Sequence, residues 1–241
     1  MWRTLSLLLL LAATPAQTAE IGRDTLLSAE ESIPWRAVGR VNMTEPSRVR
    51  MCTGTLIRPD VVLTAAHCVV NLKTGALRPP GTVHFVAGWH KGKGTGHSTA
   101  RAIVVHPDWH KVRGPQGRKT ATDLALIRLA APIAADSAEP FDVAPFDGFA
   151  DRADFILVGY RRDRAHALTY QERCPRLMQF RPLILYCSAV KGASGSPVIA
   201  DTTDGMRVVA VLSAGSHGKP IPQLFTAIAF DAVQEMLGRL E

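Results

Sequence analysis

A regular succession of short apolar runs, each closed by Gly, Pro or Asp, does most to decide how this chain can fold. Eleven such runs occur, at residues 50–57, 61–66, 83–89, 101–106, 123–130, 153–160, 168–174, 182–187, 196–200, 207–215 and 224–230. They are rich in Val, Ile, Leu and Thr. That spacing predicts an all-β barrel or sandwich. One helix is predicted at the end. There "DAVQEMLGRL" places Val233, Met236, Leu237 and Leu240 on one face, with Asp231 near its N-terminus. Residues 130–148, rich in Ala, Pro and Asp, read as the connection between two halves. No strong internal repeat is visible.

The N-terminus reads "MWRTLSLLLLLAATPAQTA", with Arg3 ahead of an apolar stretch and small residues at Ala16 and Ala19. This layout predicts a secretory signal peptide over residues 1–19, too short in its apolar part to span a bilayer. No other stretch is long and apolar enough to do so, so stable membrane insertion is not expected after its removal. Four cysteines, Cys52, Cys68, Cys174 and Cys187, suit two disulfides in an exported chain. Their number alone allows three pairings. The two local ones, Cys52–Cys68 and Cys174–Cys187, close short loops worth roughly 3 kcal/mol each in the chain-entropy model. A zinc site is the rival reading, without a Cys-x-x-Cys pair or paired histidine spacing to support it. The formal charge of +7 is scattered rather than striped and few aromatics accompany it. Nucleic-acid binding is therefore not expected. The densest basic stretch, residues 110–119, reads as an exposed loop.

Three motifs carry chemistry. "LTAAHC" contains His67, "DLALIRL" begins with Asp123 and "KGASGSPV" contains Ser194 between glycines. A serine hydroxyl is a poor nucleophile near neutrality unless a base stands within hydrogen-bond reach. An imidazole can be that base, and a buried carboxylate fixes its tautomer. Each residue alone has a bland reading: packing for the histidine, a turn for the aspartate. An α/β-hydrolase would instead order its residues Ser, acid, His around a Gly-x-Ser-x-Gly elbow. Here the order is His, Asp, Ser, and the fifth position of the turn is Ser196.

In order and together, these motifs resemble the trypsin/chymotrypsin-like serine peptidases. "CTGTLIRPDVVLTAAHC" is similar to the family's histidine region, including a cysteine sixteen positions before the one after the histidine. "TDLALIRL" resembles the aspartate strand, "GASGSPV" the serine turn and "VVAVLSAG" the strand lining the substrate groove. The Gly-x-Ser-Gly-Ser-Pro turn is most similar in look to bacterial members, among them the glutamyl endopeptidases. The resemblance implies two six-stranded antiparallel β-barrels with a C-terminal α-helix. An N-terminal barrel over 32–135 would hold His67 and Asp123, and a C-terminal barrel over 136–241 would hold Ser194. Residues 20–31 would be a short N-terminal segment, a candidate propeptide. The implied activity is a secreted or periplasmic serine endopeptidase. Its partners would be protein or peptide substrates, it needs no metal or organic cofactor, and it acts as a monomer. The alternative is a catalytically silent member that binds a partner, and a non-peptidic esterase is a lesser one.

The resemblance also assigns finer roles. The N–H groups of Gly192 and Ser194 would form the oxyanion hole, where one donor is typically worth about 3–4 kcal/mol. Animal digestive members carry an aspartate at the position of Ala193, which pairs with a new N-terminal ammonium. Alanine makes no such pair, so the hole is expected to form by other contacts. Ser188 would lie at the base of the substrate pocket, and Ser213, Ala214 and Gly215 would pair with substrate backbone. A neutral Ser188 points to apolar or small side chains. Glutamate-preferring relatives have a histidine where this chain has Leu212. His217 and Lys191 are nearby cations, read as surface residues. The other histidines, His84, His90, His97, His106, His110 and His166, form no convincing metal set. "NMT" at Asn42 is a glycosylation sequon, meaningful only in a eukaryotic secretory pathway.

Overall fold

The computed structural model describes residues 23–45, 48–111, 116–146, 155–178, 183–202, 204–216 and 223–240. The stretch read as a signal peptide, His217 and residues 112–115 lie outside them, and residues 116–119 of the basic stretch expected to be a loop are helical instead. Numbered in chain order, the first half holds β2 (Val38–Glu45), β3 (Arg48–Arg58), β4 (Val61–Thr64), β5 (Val83–Ala87), β6 (Gly96–Val105) and β7 (Ala125–Leu129). They close an antiparallel barrel in the order β2-β3-β4-β7-β6-β5. Two short helices interrupt it, α1 (Ala66–Val69) and α2 (Gln116–Ala121). In β5 the burial alternates strictly: Val83, Phe85 and Ala87 point in, while His84 and Val86 are half-exposed. That is the period of two a one-sided strand requires.

The second half holds β8 (Phe155–Gly159), β9 (Thr169–Cys174), β10 (Arg176–Met178), β11 (Leu183–Tyr186), β12 (Pro197–Thr202), β13 (Gly205–Gly215) and β14 (Gln223–Ile228). The predicted second barrel takes the form of an eight-stranded sheet, β1-β9-β8-β12-β13-β14-β11-β10. Its extra edge strand, β1 (Thr25–Leu26), comes from the segment read as separate, pairing with β9 at Thr25↔Tyr170 and Leu26↔Thr169. Only Pro175 separates β9 from β10. Arg173 has φ of 52°, and proline removes a ladder donor, so one bent strand serves both edges. Cys174 pairs with Phe155 on one side, and Arg176 pairs with Leu185 on the other. Counting β9–β10 as one strand and setting β1 aside, six strands roll into a half-barrel, and the Cys174–Cys187 disulfide clasps the corner. The closing helix α3 (Phe230–Gly238) buries Val233, Met236 and Leu237, as its periodicity predicts.

One core runs through both halves. Leu56, Leu63, Leu126 and Ile127 of the first barrel share it with Tyr160, Leu168, Ile199 and Val208, and with Met236 of α3. Full burial of each such side chain is worth roughly 1.5–3 kcal/mol. A second cluster lies inside the C-terminal sheet around Phe155, Leu185, Val209 and Leu212. The connection between the halves is stitched to both. The N–H groups of Ile133 and Phe141 reach the carbonyls of Pro59 and Leu56 at 2.8 and 2.9 Å, and that of Ala144 reaches Val208 at 2.9 Å. Among the described residues no helix is long and apolar enough to cross a membrane.

Candidate active site

His67 stands on the single turn of α1, immediately after β4, where Ala65 is still extended. Asp123 closes a turn before β7, its N–H bonded to the Thr120 carbonyl at 3.1 Å. The β4–β7 pairing, Thr64↔Ala125, brings the two together. Three donors converge on the buried Asp123 carboxylate. The His67 backbone N–H reaches Oδ1 at 2.9 Å, His67 Nδ1 reaches Oδ2 at 2.6 Å, and the Ser213 hydroxyl donates to Oδ2 at 2.5 Å. Ser213 sits where the β13–β14 register slips between Leu212 and Ala214. Such a bulge re-aims a side chain, here toward Asp123. With its Nδ1 proton held by the carboxylate, His67 keeps the Nε2 lone pair for other work.

Ser194 is half-buried in the turn between β11 and β12. It shares one cavity of about 630 Å³ with His67, Gly192 and the Cys52–Cys68 disulfide. Among the described residues its hydroxyl makes no hydrogen bond. The turn is held by its carbonyls. The Lys191 carbonyl accepts the Arg162 N–H at 2.7 Å, and the Ala193 carbonyl accepts the Ser196 N–H at 3.0 Å. In a trans peptide the N–H points opposite to the C=O. Pinning these two carbonyls therefore aims the N–H groups of Gly192 and Ser194 the other way, and neither meets an acceptor among the described residues. Gly192 has φ of 100°, and a Cβ there would come 2.7 Å from the Arg162 nitrogen. Gly195 has φ of 84°, and a Cβ there would overlap the Thr53 carbonyl.

Thr53 of β3 is the anchor that the motifs do not reveal. It is fully buried. Its N–H reaches the Ser194 carbonyl at 2.8 Å. Its hydroxyl donates to the Gly192 carbonyl at 3.2 Å and accepts the Tyr160 N–H at 2.9 Å. The serine turn of one half is thus bonded to a strand of the other. The turn at 161–165, which bonds Lys191, is itself braced. Arg40 and the Trp89 indole N–H both donate to the Ala165 carbonyl, at 3.3 and 3.1 Å. Asp24, just before β1, pairs with Arg161 and with Arg164, the latter at 2.6 Å. Tyr160 donates its hydroxyl to the Trp89 carbonyl at 2.8 Å, and burial pushes its phenol above the ordinary range. Ala193 sits 4 % exposed in the second apolar cluster. A methyl fits there.

The remaining predicted residues are placed unevenly. Ser188 does not line the Ser194 cavity. It borders a separate space of about 10 Å³ with Gln171, Ala189 and Ala193, room for about one water. Buried Gln171 explains the small volume, since its side-chain oxygen accepts the Ser188 N–H at 3.2 Å. A Cβ on Gly215 would lie 3.7 Å from the Ala189 carbonyl, an ordinary van der Waals separation. Lys191 is exposed at the mouth of the Ser194 cavity. A His67 nitrogen and the sulfurs of Cys52 and Cys68 lie within 4.8 Å of one another. Both sulfurs are consumed in the disulfide, so they offer no thiolate to a metal.

A model of the trypsin family matches residues 27–233. Human chymotrypsin-like elastase family member 1 is 32 % identical over 153 residues, which cover 61 % of this chain and 52 % of that protein. The same protein from Macaca fascicularis is 33 % identical over 121 residues, 48 % of this chain and 41 % of its own. The chain thus spans about half the length of the curated relatives it matches. Among solved structures, a Glu endopeptidase in complex with MPD superimposes with a TM-score of 0.67 at 18 % identity, covering 91 % of this chain and 97 % of that one. A thermostable serine protease, AL20, from an extremophilic microorganism gives a TM-score of 0.66 at 17 % identity, covering 83 % and 94 %. These two share the fold. Since the family match runs from the end of β1 into α3 and takes in the histidine, the aspartate and the serine turn, the chain belongs to the trypsin/chymotrypsin-like serine peptidase family.

Proposed function

We propose that this chain is a secreted serine endopeptidase in which Ser194, His67 and Asp123 form the catalytic triad. One observation carries the reading: an imidazole oriented by a triply bonded carboxylate faces the same cavity as a serine flanked by two unengaged N–H groups. Ser194 Oγ attacks the scissile carbonyl as His67 Nε2 takes its proton. The oxygen that gains charge is received by the N–H groups of Gly192 and Ser194. His67 then protonates the departing amine, and water hydrolyses the acyl-enzyme by the reverse path. Asp123 keeps the imidazole in its tautomer, and Ser213 holds Asp123. Ser213–Gly215 carries the substrate segment ahead of the cut as an added strand. The neutral Ser188 and the small volume beside it favour a small uncharged side chain there. Export rests on the N-terminal pattern, and N-terminal sequencing of the secreted protein locates the cut.

The test is a fluorophosphonate probe read by intact mass. Wild type should gain one adduct and Ser194→Ala none. Folded wild-type protein that gains no adduct, with or without residues 20–31, would overturn the reading and leave a binding protein on a peptidase fold.

A further inference from the structure

The Ser194 cavity is lined by Arg40, Arg50, Arg162 and Lys191, and by no aspartate or glutamate among the described residues. The four cations are not equivalent. Arg40 lies over the Trp89 ring at 4.7 Å and donates to the Ala165 carbonyl, so it is committed to the framework. Arg50 already has a partner. Arg162 and Lys191 are exposed at the rim. The backbone bond from the Arg162 N–H to the Lys191 carbonyl, 2.7 Å, sets them side by side next to Gly192. Neither side chain makes an ion pair among the described residues. Both residues line the same cavity, and an anion within reach of both gains attraction from each. Arg162 adds a planar donor fork that suits a carboxylate.

The cavity also has a direction. It is bounded by the Cys52–Cys68 disulfide and Met51 and contains none of Ser213–Gly215, whereas Ser213 borders a different cavity on the other side of His67 with Trp109 and Asp123. With Ser213–Gly215 holding the segment ahead of the cut, the cationic cavity receives the segment that follows it. Its volume of about 630 Å³ falls within the range of ordinary ligand sites. We propose that this cavity selects substrates with an aspartate or glutamate in the first few residues after the scissile bond, its carboxylate received by Arg162 and Lys191. This rests on the peptidase reading above.

The experiment compares kcat/KM on matched quenched peptides carrying Asp or Asn at each of the first three positions after the cut, and at the same distances before it. At low ionic strength the Asp peptides should be favoured about tenfold after the cut, and the ratio should shrink toward one as salt shortens the screening length. Lys191→Gln should lower the ratio, and Arg162→Glu with Lys191→Glu should invert it toward Lys peptides. The readout is a ratio within each variant, so a general loss of rate does not move it. If the double variant does not fold, Lys191→Gln and the salt titration of wild type decide the matter. A wild-type ratio below about twofold at low salt, a preference confined to positions before the cut, or a ratio unchanged in the charge variants overturns the proposal. If the fluorophosphonate still labels Ser194 in that case, the peptidase reading stands and only this inference falls. Neither labelling nor cleavage of any peptide removes both.

Discussion

Thr53→Val is the sharpest probe of how the serine turn is held. Valine keeps the shape of threonine and removes only the hydroxyl. That hydroxyl serves two groups at once, accepting the Tyr160 N–H at 2.9 Å and donating to the Gly192 carbonyl at 3.2 Å. Thr53 and Tyr160 are both fully buried, so water cannot replace the lost partner. A buried polar group left unsatisfied costs about 1–3 kcal/mol, so the pair together costs about 2–6 kcal/mol. For a chain of this size each kcal/mol lowers Tm by about 2–4 °C, giving a drop on the order of 10 °C. The Gly192 carbonyl belongs to the peptide next to the one whose N–H enters the cavity. Its release should loosen that donor and lower kcat by about tenfold or more. Thermal unfolding and kcat on a peptide are the assays, with Thr53→Ser as the control. Serine retains the hydroxyl and should lose no more than the effect of a buried methyl, about 1 kcal/mol. A Thr53→Val protein with wild-type Tm and wild-type kcat would refute the reasoning, because the bridge between halves would then carry neither stability nor geometry.

Three further outcomes are expected. Ser213→Ala removes the 2.5 Å donor to Asp123; a hydrogen bond to a charged group is worth about 1.5–3 kcal/mol, so kcat/KM should fall about tenfold or more with the fold intact by circular dichroism. Asp24→Ala breaks the pairs with Arg161 and Arg164, whose side chains are partly solvated. Screening limits the loss to about 1 kcal/mol or less, and a denaturant titration should find it smaller still in high salt. His106 is half-buried, and desolvation holds its imidazole below the ordinary value against the opposing pull of Asp108 and Glu235. The unfolded chain therefore binds a proton before the folded one does, and stability present above about pH 6.5 is lost as pH falls through the lowered folded value. His106→Asn, whose side-chain oxygen can still accept the Asp108 N–H that His106 Nδ1 now accepts at 3.1 Å, should flatten that part of the pH–stability profile.

The sequence was most informative where short-range pattern coincides with chemistry. Runs of β-branched residues marked most of the barrel strands, and the apolar stripe of Val233, Met236 and Leu237 marked the closing helix. It was silent where the signal is diluted. In β2, Val41 and Met43 face the core while Arg40 and Asn42 face outward, so its composition looks ordinary. The helix α2, "QGRKTA", is polar and has no apolar stripe. Two residues, Thr25 and Leu26, make a strand only because β9 offers an open edge. The candidate site divides the same way. His67, Asp123 and Ser194 stand in recognisable motifs, and the missing charge at Ala193 was legible as a question. The bonds that hold the turn run among the backbones of Arg162, Lys191, Ala193 and Ser196, and from Thr53, which lies 139 residues from Gly192. Backbone groups carry no sequence signature, and nothing local announces a partner at that distance.

The bonds from Thr53 to the serine turn have a consequence for how activity first appears in a newly made chain. The nucleophile turn is completed only when β3, made early, meets a segment made some 140 residues later. Neither half holds the finished turn while the other is unfolded, so an emerging or half-denatured chain should lack the arrangement proposed as the active site. On the peptidase reading proposed above, completion of the fold and completion of the site are then one event.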